Sequence, residues 1–110
     1  MRFLKQFNHS QVKNKTATPQ ETWQLNVFGR VQGVGFRWSV QVLADQMQLC
    51  GTVKNNSDQT VTIVLQASLA LVNEFCAALP HNISQFAKIS KIKKEKLVNV
   101  GKMQGFHVLY

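Results

Sequence analysis

Apolar residues repeat along the chain with two different periods, and the switches between them mark out the elements. Trp23, Leu25, Val27 and Val31 alternate with polar neighbours, which predicts a half-buried first strand. Phe36, Val40, Leu43 and Met47 then recur at helical spacing, in a helix expected to stop near Gly51. Gly51 to Asn55 reads as a short strand. Asn56-Ser57-Asp58-Gln59 has the composition of a turn, and Thr60 to Gln66 alternates again around Val61, Ile63 and Leu65. Ser68 is a natural N-cap for a helix presenting Val72, Phe75, Cys76 and Leu79 and closed by Pro80. Ile89 to Leu97 and Phe106 to Tyr110 complete the set as strands. The order β-α-β-β-α-β-β predicts an α+β sandwich: one mostly antiparallel sheet of four to five strands with both helices on one face.

The segment Phe28-Gly29-Arg30-Val31-Gln32-Gly33-Val34-Gly35-Phe36-Arg37 carries the candidate chemistry. A strand runs through a glycine-containing loop into a helix with an arginine in its first turn. Glycines let successive backbone N–H groups turn toward one point, and a helix start adds unsatisfied N–H groups and partial positive charge. Arg37 adds a full charge and a planar fork suited to phosphate oxygens. Two familiar motifs fail here. No Gly-Lys-Ser or Gly-Lys-Thr follows a glycine loop, and Trp38 stands where GxGxxG needs its third glycine. On the residues alone, a small oxyanion site competes with a plain tight connection and a solvated Arg37.

Gly29 to Arg37 resembles the signature of the acylphosphatases, close to GxVQGVxFR. Gly51-Thr52-Val53-Lys54-Asn55-Asn56-Ser57-Asp58 is similar to that family's second block, G-W-V-x-N followed by a turn, and Gly105 to Tyr110 to its closing strand. The resemblance spans about Trp23 to Tyr110 and implies a ferredoxin-like fold. It also implies hydrolysis of acyl phosphates to a carboxylate and inorganic phosphate, with no cofactor and no metal. By the same resemblance Arg37 binds the phosphoryl group and Asn55 positions the attacking water. The backbone N–H groups of Gln32, Gly33, Val34, Gly35, Phe36 and Arg37 form the cradle. Thr52 departs from the family's tryptophan, a change expected to weaken packing or alter the floor of the site. Gln59 departs from its usual glycine, at a cost of roughly 1–2 kcal/mol if the turn needs positive φ there.

The proposed chemistry is self-consistent. An acyl phosphate expels a carboxylate whose conjugate acid has a pKa of about 4, so no strong general acid is required. Phosphoryl transfer passes through a loose transition state in which positioning and charge stabilisation dominate. The motif blocks hold no His, Glu or Cys to act as base or nucleophile, which favours direct attack by water. His9, His81 and His107 form no metal-binding pattern. Asp58, in a turn, is expected to cap backbone N–H groups. Trp38 is read either as a shield over the site or as a partly exposed aromatic.

Composition narrows the setting. The 110 residues suffice for one domain with its own core. No apolar run spans a membrane and no signal peptide opens the chain, so a cytoplasmic monomer acting on a small-molecule acyl phosphate is expected. Cys50 and Cys76 form no CxxC pair, and Cys76 falls on an apolar helix face as a buried thiol. The formal charge of +8 divides equally: residues 1–20 carry four basic and no acidic side chains, and residues 21–110 carry nine and five. The first part reads as a basic, disordered tail and the second as the acylphosphatase-like domain. Lys91, Lys93, Lys94 and Lys96 read first as the solvated face of a strand, with attraction of anions as the functional alternative. A non-catalytic phosphoryl- or carbamoyl-binding module remains the competing function. An RNA-binding module is disfavoured, because no RNP1-like run occurs and no nucleic acid is expected.

Overall fold

The computed structural model describes residues 20–110, so all of the expected disordered tail except Gln20 lies outside the described residues. Five strands form a single sheet: β1 (Thr22–Arg30), β2 (Cys50–Asn55), β3 (Val61–Gln66), β4 (Lys88–Leu97) and β5 (Phe106–Leu109). Two helices intervene, α1 (Phe36–Gln46) and α2 (Leu69–Ala78), the second extended by a 3-10 turn at Leu79–His81. Spatial order is β4-β1-β3-β2-β5. Every neighbouring pair is antiparallel except β2 and β5, which run parallel. This is the α+β ferredoxin-like arrangement that the pattern and the resemblance predict.

Period-two burial puts Leu25 and Val27 of β1, Val53 of β2, and Val61, Ile63 and Leu65 of β3 on one face of the sheet. Val40 and Leu43 of α1 and Val72 and Phe75 of α2 close over that face in one continuous core. Fully burying an aromatic such as Phe36 or Phe75 stabilises the fold by about 1.5–3 kcal/mol. Ser68 caps α2 as expected, its side chain accepting from the Leu71 N–H. The end of α1 differs from expectation: the helix stops at Gln46, and Gln48, at φ 59°, turns the chain before Gly51 is reached. Gln48 thus ends the helix in the left-handed region without a glycine, at the same kind of cost, about 1–2 kcal/mol.

Among the described residues, no helix covers the other face of the sheet. Thr52 lies there, opposite in parity to Val53 and Asn55, and pairs with His107 of β5. Of the two effects expected from its exchange for the family's tryptophan, this position favours lost packing over a changed floor of the site. On the same face Lys91 and Lys93 sit 4.6 and 5.6 Å from the Phe28 ring centroid. β4 is an edge strand, and its exposed lysines guard that edge against further pairing. At the far end of β3, buried Gln66 donates to Thr22 Oγ1 and to the Gly101 carbonyl, both at 3.0 Å, and accepts from the Met103 N–H at 2.7 Å. These bonds pin the β4–β5 connection to the sheet.

Candidate active site

The loop from β1 to α1 is shaped by two glycines. Gly33 and Gly35 both have φ of 74°, with Val34 between them on the ordinary side. A chain that alternates hand in this way points consecutive N–H groups into one concavity. A Cβ on either glycine would meet no atom within 4 Å, so the requirement is conformational and not one of space. Among the described residues, the backbone hydrogen bonds outside regular elements take no N–H from Gln32 to Arg37 as donor. The first acceptor of α1 is the Gly35 carbonyl, bonded by the Ser39 N–H at 3.1 Å. The loop and the helix start thus present a run of open donors at one place.

Beside this nest lies a cleft lined by Val31, Gly33, Gly35, Phe36, Arg37, Trp38, Gln41, Asn55, Val108 and Tyr110. Arg37 and Asn55, 18 positions apart in sequence, meet there because β2 returns next to β5 at the same end of the sheet as the nest. Arg37 stacks its guanidinium against the Tyr110 ring, 4.8 Å from Cζ to the centroid, and Nη1 makes a long bond of 3.4 Å to the Leu109 carbonyl. Stacking occupies the face of the guanidinium and leaves most of its edge donors for an anion. The Asn55 Oδ1 atom is buried and accepts no hydrogen bond. Leaving a buried acceptor unmade costs about 1–3 kcal/mol, so this oxygen favours a donor beside it.

Gln32 and Val34 do not line the cleft through their side chains. Gln32 Nε2 donates to the Asn56 and Thr60 carbonyls, both at 2.8 Å, and so ties the nest to the turn that follows Asn55. Val34 packs against the core, and its carbonyl accepts from Ser84 Oγ at 3.3 Å. Asn56 Nδ2 donates to Thr60 Oγ1 and Thr62 Oγ1, and Thr62 Oγ1 to Asn26 Oδ1, which extends the brace across the sheet. In the turn itself Gln59 does adopt positive φ, 76°, so the glycine-to-glutamine departure carries the expected strain. Asp58 caps as expected: the hydroxyl and N–H of Thr60 both donate to its carboxylate and hold its pKa below the ordinary value.

Sequence reading missed Gln41, Val108 and Tyr110 as cleft residues. Gln41 stands four residues after Arg37, so helical periodicity would have found it. Val108 and Tyr110 arrive only through the β2–β5 pairing, which no local pattern encodes. Trp38 is 69% exposed, as one reading expected, and it borders the cleft. His107 is on the outer surface, its Nε2 2.7 Å from the Gln104 carbonyl. Among the described residues, no three His, Cys, Asp or Glu side chains gather as a metal-binding group. Burial raises the pKa of the Cys76 thiol, which lies away from the cleft. No helix among the described residues is long and apolar enough to cross a membrane.

Comparison with known proteins agrees with this geometry. The acylphosphatase family model matches residues 23–108. An acylphosphatase of Latilactobacillus sakei is 34% identical over 90 residues, which are 82% of this chain and 98% of that one. The crystal structure of acylphosphatase from Bacillus subtilis superposes with a TM-score of 0.74 at 34% identity, covering 82% of this chain and 99% of the other. A similar likeness, TM-score 0.74 at 29% identity, extends to HypF of T. kodakarensis, where the match covers 82% of this chain but 12% of that much longer one. A left-handed glycine nest, an arginine at a helix start and a half-buried carboxamide facing the same cleft thus occur in a chain that matches one family along nearly all its described length, and the chain belongs to the acylphosphatase family.

Proposed function

We propose that this acylphosphatase divides its reaction between Arg37 with the Gln32–Arg37 nest, which hold the phosphoryl group, and Asn55, which holds the water. The nest and the guanidinium supply donors to the three non-bridging phosphoryl oxygens and stabilise the charge that spreads over them. Asn55 Oδ1 accepts a hydrogen bond from the water and fixes its oxygen behind phosphorus. The water oxygen forms the new bond to phosphorus as the bond to the acyl oxygen breaks, and the electron pair leaves with the carboxylate. The water's proton passes to a phosphoryl oxygen, so the products are a carboxylate and inorganic phosphate.

The observation that carries this reading is the buried, unpartnered Asn55 Oδ1. A site that only bound phosphoryl oxygens would be furnished with donors. An acceptor there suits a group that brings its own protons, and water is such a group. The same observation favours hydrolysis over the binding-module alternative. The two free thiols, Cys50 and Cys76, suit a reducing, cytoplasmic setting.

The test is hydrolysis of benzoyl phosphate with and without EDTA, in the parent, Arg37→Ala and Asn55→Ala. Turnover that survives EDTA, with phosphate inhibition weakened in Arg37→Ala and retained in Asn55→Ala as kcat collapses, is the expected result. Activity in both variants equal to the parent's would overturn the residue roles.

A further inference from the structure

Phosphoryl chemistry uses the nest, Arg37 and Asn55, and leaves one wall of the cleft unexplained. That wall is aromatic. Trp38 is 69% exposed and Tyr110 is 95% exposed, yet both border the cleft together with the apolar side chains of Val31 and Val108. Large aromatic surface left to water beside an anion site has something to gain from a ligand that covers it. Tyr110 is also oriented, since its ring lies against the Arg37 guanidinium. Among the described residues Arg37 is the one charged side chain that lines the cleft, and the rest of the lining is neutral. An acyl phosphate has two ends, and once the nest has closed around the phosphoryl group the acyl end must lie along what remains of the cleft.

We infer that Trp38 and Tyr110 form an acyl-group platform, and that this enzyme prefers acyl phosphates whose acyl group is flat and apolar over short aliphatic ones. The inference rests on the hydrolytic reading above and adds to it a substrate class and two specificity-determining residues. Flat π surfaces stack on aromatic side chains whatever their substituents, so the platform selects for shape and apolarity.

The experiment compares kcat/KM for benzoyl phosphate and acetyl phosphate in the parent, Trp38→Ala, Trp38→Phe, Tyr110→Leu and Phe86→Ala. Phe86 is similarly exposed, at 63%, but does not border the cleft. The benzoyl-to-acetyl ratio is expected to fall about tenfold in Trp38→Ala, mainly through KM. It should fall less in Tyr110→Leu, return toward the parent's in Trp38→Phe, and stay unchanged in Phe86→Ala. A ratio that stays the same in Trp38→Ala and Tyr110→Leu, or equal losses on both substrates, would overturn the platform while leaving the reaction intact. Failure of the parent to hydrolyse either compound would instead overturn the reaction, and the platform with it.

Discussion

Two carboxamides, Gln66 buried and Asn55 half-buried with a buried oxygen, stand at opposite ends of the β2–β3 pair, and they are treated in opposite ways. Gln66, paired with Cys50 at one end, has both halves of its amide in use, with bonds to Thr22, Gly101 and Met103. Asn55, paired with Val61 at the other, keeps a buried oxygen without a partner. Chemically the groups are the same, and burial penalises both. The satisfied one closes a loop onto the sheet and has nothing left to offer a ligand. The unsatisfied one leaves an acceptor open, the place that the proposed mechanism gives to a water. An unmet hydrogen bond beside a run of open N–H donors thus distinguishes the working end of this sheet from its structural end.

The sharpest way to break that comparison is to remove each amide. Asn55→Ala should lower kcat for benzoyl phosphate by about 10²–10³, the usual cost of losing one oriented polar group in an active site. Thermal unfolding of the same variant should show a midpoint unchanged or raised, because the orphaned acceptor disappears with the side chain. A large loss of stability would mean that Asn55 is structural after all. Gln66→Ala should do the reverse. It strands the Met103 N–H and the Gly101 carbonyl and should cost about 2–3 kcal/mol in urea unfolding, with benzoyl phosphate turnover preserved in the folded fraction. Little change in the urea midpoint would show that water replaces the amide easily.

Smaller effects sharpen the picture around the nest. Gly35→Ala has room for its methyl group but not the conformation, and should cost about 1–2 kcal/mol while raising the inhibition constant for inorganic phosphate. The neighbouring turn offers the opposite change. Gln59→Gly relieves the left-handed strain and should stabilise the protein by about 1 kcal/mol, measured by thermal unfolding. Asp58 supplies a pH test. Its folded-state pKa is depressed by the Thr60 donors, so its contribution to stability is fully present above its unfolded value, about 3.9, and is lost as pH falls through the lower folded value. Asp58→Asn should flatten that acid limb of the stability profile slightly. An unaltered limb would assign it to other carboxylates.

Much of this was legible because the signals are local. Alternation at Leu25 and Val27, helical spacing at Val40 and Leu43, and the cap at Ser68 each depend on a few adjacent residues, and each element formed within two or three residues of its expected ends, apart from the end of α1. The glycine loop before Arg37 was readable for the same reason, since left-handed backbone restricts residue type at the position itself. Which of the two effects expected of Thr52 applies depends on the face of the strand it occupies. In a strand adjacent side chains point to opposite faces, and Thr52 belongs to the face away from the site. Gln32 was expected to serve through its backbone, and its side chain proved to have a second task that only the nearby turn carbonyls define.

The sequence by itself determined the two periodicities, hence the strands, the helices and a single core, and it narrowed the glycine loop to an anion nest or a plain tight connection. With the family signature it also named Arg37 and Asn55. Tertiary structure alone decided that Tyr110 and Val108 share their cleft, that Tyr110 stacks on Arg37, and that the Asn55 oxygen is left without a partner. The physical reason is range. Backbone conformation is set by neighbouring residues, whereas a cleft, a stacking contact or an unmet hydrogen bond depends on which distant strands the sheet brings side by side, here the parallel pairing of β2 with β5.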